Sequence, residues 1–191
     1  MSRSKVIEIC RLAGEPSRAQ AAQIDAIFFA ASGRQSFASP EARAAFRERW
    51  LGRYLQGGSD VVLTAQGPCG EVAGYLVGAL EDPARQDRFA DIDYFRGVFR
   101  ELAHRYPAHL HINLAPAFRS RGIGARLIAA FEACAVAADV PGLHVVTAPE
   151  ARNVRFYARC GLVEAGATCW NGRAVVFLAK PLGSVASSSR S

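Results

Sequence analysis

The stretch HLHINLAPAFRSRGIGARL, His109 to Leu127, is the part of this chain that most restricts its fold. Its opening residues alternate apolar and polar and predict a strand over 109–115, which Pro116 closes because it has no N–H to give a ladder. Gly122 and Gly124 follow, and the apolar run behind them predicts a helix from about Gly122 to Ala138. A strand, a permissive turn and a helix in direct succession imply a sheet with a helix packed on it. The same turn carries Arg119, Arg121 and Arg126. A helix leaves its first N–H groups unpaired and its dipole favours negative charge there, so a turn that lets the backbone be approached closely is suited to a phosphate. Guanidinium groups suit paired phosphate contacts. A P-loop needs Gly-Lys-Ser or Gly-Lys-Thr, which is absent, and a dinucleotide fingerprint needs a third glycine where Leu127 stands. A pyrophosphate cradle is left, beside the plain structural alternative of a glycine-rich turn with solvated arginines.

The rest of the chain supplies the other layers. Val6 to Cys10 alternates as a first strand, Glu15-Pro16-Ser17 starts a helix running to about Ala31, and Ser39-Pro40-Glu41 starts a second reaching about Leu55. Gly57-Gly58 ends it, and DVVLTAQGPCGEVAGYLVGAL predicts a hairpin turning at Gly67-Pro68-Cys69-Gly70. Glu81 to Asp93 is an acidic, irregular loop, and YFRGVFRELAHRY has helical spacing. Beyond the central joint come a strand LHVVT, a helix from about Glu150 to Arg159, and the strands GLVEAGATCW and RAVVFLA around Asn171-Gly172, a strong hairpin signal. The order β-α-α-β-β-α-β-α-β-α-β-β predicts a mixed α/β sheet with helices covering its faces. Residues 1–182 are expected to form one domain and 183–191, SVASSSRS with its preceding glycine, a disordered tail.

Bulk properties narrow the classes of function. With 191 residues, half of them hydrophobic, the chain can bury one substantial core. Lys and Arg exceed Asp and Glu by 23 to 17, so the surface attracts anions without saying which. The arginines are spread over many elements with no aromatic-basic ladder or recognition helix, and a nucleic-acid partner is not expected. Five widely spaced cysteines with no Cys-x-x-Cys pair read as reduced, buried thiols. No uncharged apolar stretch reaches the ~18 residues of a membrane span, and a cytoplasmic protein without membrane contact is the expectation.

The pattern Arg119-x-x-Gly122-x-Gly124, set between a strand ending in Leu114-Ala115-Pro116 and an apolar helix, resembles the acetyl-coenzyme A turn of the GCN5-related N-acetyltransferases. At the right distance, NVRFYARCGLVE resembles that family's helix bearing a Tyr, followed by a Gly that starts the next strand. The resemblance covers roughly residues 60 to 180. It implies a GNAT-like α/β fold, a mixed, mostly antiparallel sheet of about seven strands flanked by helices on both faces. It further implies an acetyl-CoA-dependent N-acetyltransferase acting by direct attack of an amine. Ile112 and Leu114 would pair through their backbones with the pantetheine arm, with the Leu114 N–H near the thioester oxygen. The N–H groups of Arg119, Ser120, Arg121, Gly122, Ile123, Gly124 and Ala125 would take the pyrophosphate, and Tyr157 would protonate the departing thiolate. The chain departs from the family where Glu150 replaces an Asn seven residues before the Tyr, and where Leu162 replaces a Phe after the Gly.

A base is harder to read. His109, His111 and Asn113 share one strand face, and His111, ordinarily titrating near pH 6.5, could accept a proton directly or through water; the plain reading is a strand histidine bonded to backbone. No carboxylate or Cys stands at ligand spacing from the two histidines, so no metal is expected. Asp91 and Asp93 could attract a protonated amine or cap a helix. The acceptor is expected to be a small-molecule or peptide amine. YPAHLHINLAP and PGLH also resemble acetyltransferase-like domains attached to O-GlcNAc-processing enzymes, some with Asp where Asn113 stands. Two further alternatives stay open: a non-catalytic acyl-CoA-binding module on the same fold, and either a monomer or a homodimer.

Overall fold

Both serines offered as helix starts act as caps in the computed structural model, which describes residues 6–34, 36–56 and 60–183. Ser17 Oγ accepts from Gln20 N at 3.3 Å while Gln20 Oε1 accepts from Ser17 N at 3.0 Å, a reciprocal box that opens α1, Arg18–Ala31. Ser39 Oγ accepts from Ala42 N at 3.2 Å, and Pro40 occupies the first position of α2, Pro40–Trp50. The second helix stops short of Leu55 because Leu51 leaves helical geometry at φ −141°, and a 3-10 turn, Gly52–Tyr54, follows. Gly57, Gly58 and the tail beyond Gly183 lie outside the described residues.

The strands are β1 Glu8–Arg11, β2 Val61–Gln66, β3 Val72–Ala79, β4 Ala108–Leu114, β5 Gly142–Thr147, β6 Val163–Trp170 and β7 Arg173–Pro181. They form a seven-stranded sheet in the order β1-β2-β3-β4-β5-β7-β6. The pairs β1–β2, β2–β3, β5–β7 and β6–β7 are antiparallel and β4–β5 is parallel, so the fold is mixed α/β with a mostly antiparallel sheet. Both predicted hairpins form. Gly70 at φ +79° turns the first; Asn171 at +48° and Gly172 at +73° turn the second, the left-handed pair that a two-residue turn demands. The remaining helices are α3 Arg100–Arg105, α4 Ile123–Ala137 and α5 Val154–Arg159.

The chain divides into two compact units. The first comprises the residues up to Gly78 together with His111–Phe131. Ile24, Ile27 and Phe28 of α1, Tyr75 and Leu76 of β3, and Leu127 and Phe131 of α4 are among its buried core. Gly74 is required there: a Cβ would lie 2.2 Å from Leu114 Cδ2 and 2.8 Å from Asn113 O.

The second unit comprises Ala79–Leu110 and the residues from Glu132 onward, and its core is aromatic. Phe99 lies 5.2 Å from Phe177, the His144 ring stacks on Phe177 at 4.3 Å, and Phe89 meets His109 at 4.7 Å. The helix expected over 94–106 forms only at Arg100–Arg105. Over Asp93–Phe99 the bonds have mixed spans, Arg96 N and Gly97 N both to Asp93 O and Phe99 N to Tyr94 O, so a continuous helical ladder begins only at α3, with Gly97, a poor helix former, in the interrupted stretch. The helix expected from Glu150 begins only at Val154; bonds from Ala151 N to Ala148 O and from Val154 N to Ala151 O hold Glu150 in turns instead. Among the described residues no helix is long and apolar enough to cross a membrane.

Candidate active site

In the first unit, Ser120 at φ +59° and Gly122 at +75° are both left-handed, with Arg121 between them on the ordinary side. Such alternation folds successive N–H groups into a concavity suited to an anion. The first helical bond of α4 runs from Arg126 N to Gly122 O at 3.2 Å, so the N–H groups of Ile123, Gly124 and Ala125 have no helical acceptor. No acidic side chain stands in that first turn, and nothing lies within 4 Å of where a Gly122 Cβ would sit. Ile123 is buried and fixes the helix start, while Ser120, Arg121, Gly122 and Ala125 are exposed. These residues fit a pyrophosphate.

The arginines divide by role. Arg119 Nε donates to Leu114 O at 3.2 Å, folding the turn back on the end of β4. Arg126 Nη2 donates to Ile7 O at 2.8 Å, which ties α4 to the chain just before β1. The Arg121 guanidinium lies 5.7 Å from the Phe118 ring. Two of the three cations that suggested an anion site are thus braced by backbone carbonyls, and they shape the cradle as well as charging it.

Ile112 and Leu114 stand on β4, both half-buried, and the chain leaves the strand with Ala115 N bonded to Ala73 O at 2.9 Å. His111 and Asn113 occupy the alternate positions. The His111 ring is met edge-on by Trp50 at 5.6 Å and Tyr54 at 5.4 Å. Burial, reinforced by the charge of Arg53, lowers its pKa to about 4, so the imidazole is neutral at physiological pH. Asn113 Nδ2 donates to Tyr75 Oη at 2.8 Å. Burial raises the Tyr75 pKa, and the phenol stays protonated.

In the second unit, Tyr157 sits in the last turn of α5 and is 5% exposed. Burial, with a smaller contribution from Cys160, raises its pKa above the usual tyrosine value. Gly161, at φ +87°, ends the helix: Leu162 N bonds Tyr157 O at 3.1 Å and Gly161 N bonds Ala158 O at 3.0 Å. Asn153, three residues beyond the Asn position the family uses, accepts from Thr147 Oγ1 at 3.2 Å. Asp93 accepts from Trp170 Nε1, so its carboxylate anchors an indole. His109 is a core histidine, 3% exposed, with Nδ1 3.4 Å from Pro107 O.

The model of the acetyltransferase (GNAT) family matches residues 28–162, most of the chain and the whole of the cradle. The chain belongs to the GNAT acetyltransferase family. Solved structures agree in fold. SsHAT is 21% identical with a TM-score of 0.66 over 92% of this chain and 99% of that one. The spermidine/spermine N-acetyltransferase SpeG from Vibrio cholerae is 16% identical with a TM-score of 0.55 over 94% of each. A protein assigned as a streptothricin acetyltransferase from Bacillus anthracis, solved with acetyl-coenzyme A, is 18% identical with a TM-score of 0.51 over 69% of this chain and 68% of that one.

Within this GNAT chain, several residues around the candidate site escape sequence reading. Gly74 had a signal, since an isolated glycine within a strand marks a close approach of another backbone. Trp50 and Tyr54 beside His111, and the partners of Arg119, had none, because ring contacts and bonds to distant carbonyls leave no periodic trace.

Proposed function

We propose that this protein transfers the acetyl group of acetyl-coenzyme A to a primary amine of a small molecule or peptide by direct attack. The observation that carries the reading is the left-handed Ser120–Gly122 turn opening onto the unpaired first N–H groups of α4. The bound acetyl-coenzyme A of the Bacillus anthracis structure and the amine acceptors named for SpeG support it.

In this reading the backbone from Arg119 to Ala125 holds the pyrophosphate, and Ile112 and Leu114 hold the pantetheine arm, with the Leu114 N–H stabilising the thioester oxygen as charge develops. The amine nitrogen forms its bond to the carbonyl carbon and the C–S bond breaks. One proton leaves the nitrogen, which is far more acidic once that bond exists, for neutral His111. Another passes from the Tyr157 hydroxyl to the sulfur, and the tyrosine regains it from solvent. Burial keeps Tyr157 protonated throughout the working pH range. It also makes that proton harder to give up, so the step depends on a thiolate that is itself poorly solvated and correspondingly basic.

A second reading, a module that binds acyl-coenzyme A without turnover, is favoured by two details: His111 at about pKa 4 is a weak base, and Asn113 is none at all. Calorimetry and single-turnover kinetics on an amine panel separate the two. Gly124→Val should weaken acetyl-CoA binding tenfold or more; Tyr157→Phe should leave binding unchanged and slow single-turnover transfer by about 10²–10⁴-fold. Unchanged affinity in folded Gly124→Val removes the cradle. Binding without turnover on every amine establishes the second reading.

A further inference from the structure

We propose that Lys180 is the positioning residue for Tyr157, holding the last turn of α5 through the carbonyl of Cys160; this rests on the reading of Tyr157 as the acid. Helix α5 has six residues and no side-chain bond at its N-cap, too little to hold its own geometry. Its order comes from its C-terminal end. There Tyr157 O accepts from both Cys160 N at 2.9 Å and Leu162 N at 3.1 Å, so the backbone of Tyr157 belongs to the terminal turn itself. Cys160 O, one of the carbonyls such a turn leaves over, accepts from Lys180 Nζ at 3.1 Å.

The ammonium is itself fixed. Lys180 Nζ donates to Glu132 Oε1 at 2.6 Å, and the two side chains are 28% and 20% exposed. Lys180 comes from the nine-residue strand β7 and Glu132 from the fifteen-residue helix α4, both far longer than the element they brace. A positive charge at a helix C-terminus also opposes the negative end of its dipole. The Lys180 stem runs over the turn, with its Cε 3.4 Å from where a Gly161 Cβ would sit. The thiol of Cys160 feels both charges, Glu132 raising and Lys180 lowering a pKa that burial lifts most.

The test uses protein labelled at the tyrosine ring carbons, with the Tyr157 resonance assigned by its loss in Tyr157→Phe. In Lys180→Met the Tyr157 signal should move or broaden and single-turnover transfer should fall by about 10–100-fold, the scale of a small misplacement, with acetyl-CoA affinity within twofold. Lys180→Arg should recover most of both. On the Tyr157→Phe background, Lys180→Met should cost less than twofold more, because its effect passes through that hydroxyl. Where Lys180→Met does not fold, the neutral pair Lys180→Met/Glu132→Gln carries the same expectations without stranding a carboxylate. A Tyr157 resonance unmoved in a folded variant overturns the proposal, as does an equal kinetic cost on both backgrounds. Tyr157→Phe transferring as fast as wild type overturns the acid reading itself, an outcome distinct from a failure of Lys180 alone.

Discussion

Replacing His111 with Gln and following stability against pH isolates the titration of one imidazole. Trp50 and Tyr54 enclose its ring and the Arg53 charge opposes protonation, so the folded protein holds it at about pKa 4 where the unfolded chain has the ordinary 6.5. The folded value is the lower one. Below 6.5 the unfolded chain therefore takes up a proton that the folded protein refuses, and the stability present at neutral pH drains away as pH falls toward 4. At 1.36 kcal/mol per pKa unit, the gap gives a loss of about 2 kcal/mol by pH 5 and about 3 kcal/mol by pH 4, upper figures because the ring is only partly enclosed. His111→Gln has no proton to take up at that position, and every other group is common to both proteins and cancels in the difference. Urea unfolding from pH 7.5 to 4.5 measures it: with a slope of roughly 1–3 kcal/mol/M, the wild-type midpoint should fall relative to the variant by about 1 M near pH 5. Midpoints that stay parallel to within a few tenths of a molar would mean that His111 is as easily protonated in the fold as out of it, and the neutral-imidazole account would fail.

Two substitutions test the glycines. Gly74→Ala forces a Cβ to within 2.8 Å of Asn113 O and should cost about 1–3 kcal/mol, read as a lower Tm, since backbone cannot step aside as a side chain can; a Tm equal to wild type would refute the close approach of β4. Gly161→Ala puts a side chain at φ +87° and should cost about 1–2 kcal/mol in urea unfolding; no loss would mean that α5 ends in some other geometry.

What could be read from the chain was local chemistry. The Ser17 and Ser39 caps, the Asn171-Gly172 turn and the Gly122 turn each depend on residues within a few positions of one another, and each forms where spacing puts it. The family resemblance belongs with these, because its two motifs are local as well. What could not be read has other causes. Helical spacing over 94–106 is real, yet bonds of mixed span around Gly97 replace the helical ladder until Arg100. Asp93 reads as a cap or an amine contact, and that Trp170, 77 positions on, donates to its carboxylate is equally illegible. Arg126 adds charge beside the Gly122 turn, and that its guanidinium also holds a carbonyl 119 positions away is not written in any spacing. For Asp93 and Arg126 the partner is remote in sequence, and no period or spacing carries it.

The bond from Arg126 to Ile7 O ties the start of α4 to the residue just ahead of the first strand. Arg126 closes the opening turn of α4 through its own N–H, so only one side chain separates Ile7 from the first turn of α4. Moving Ile7 would therefore tilt the N–H groups that open α4, and the edge strand and the helix start would shift together, joined by a single guanidinium.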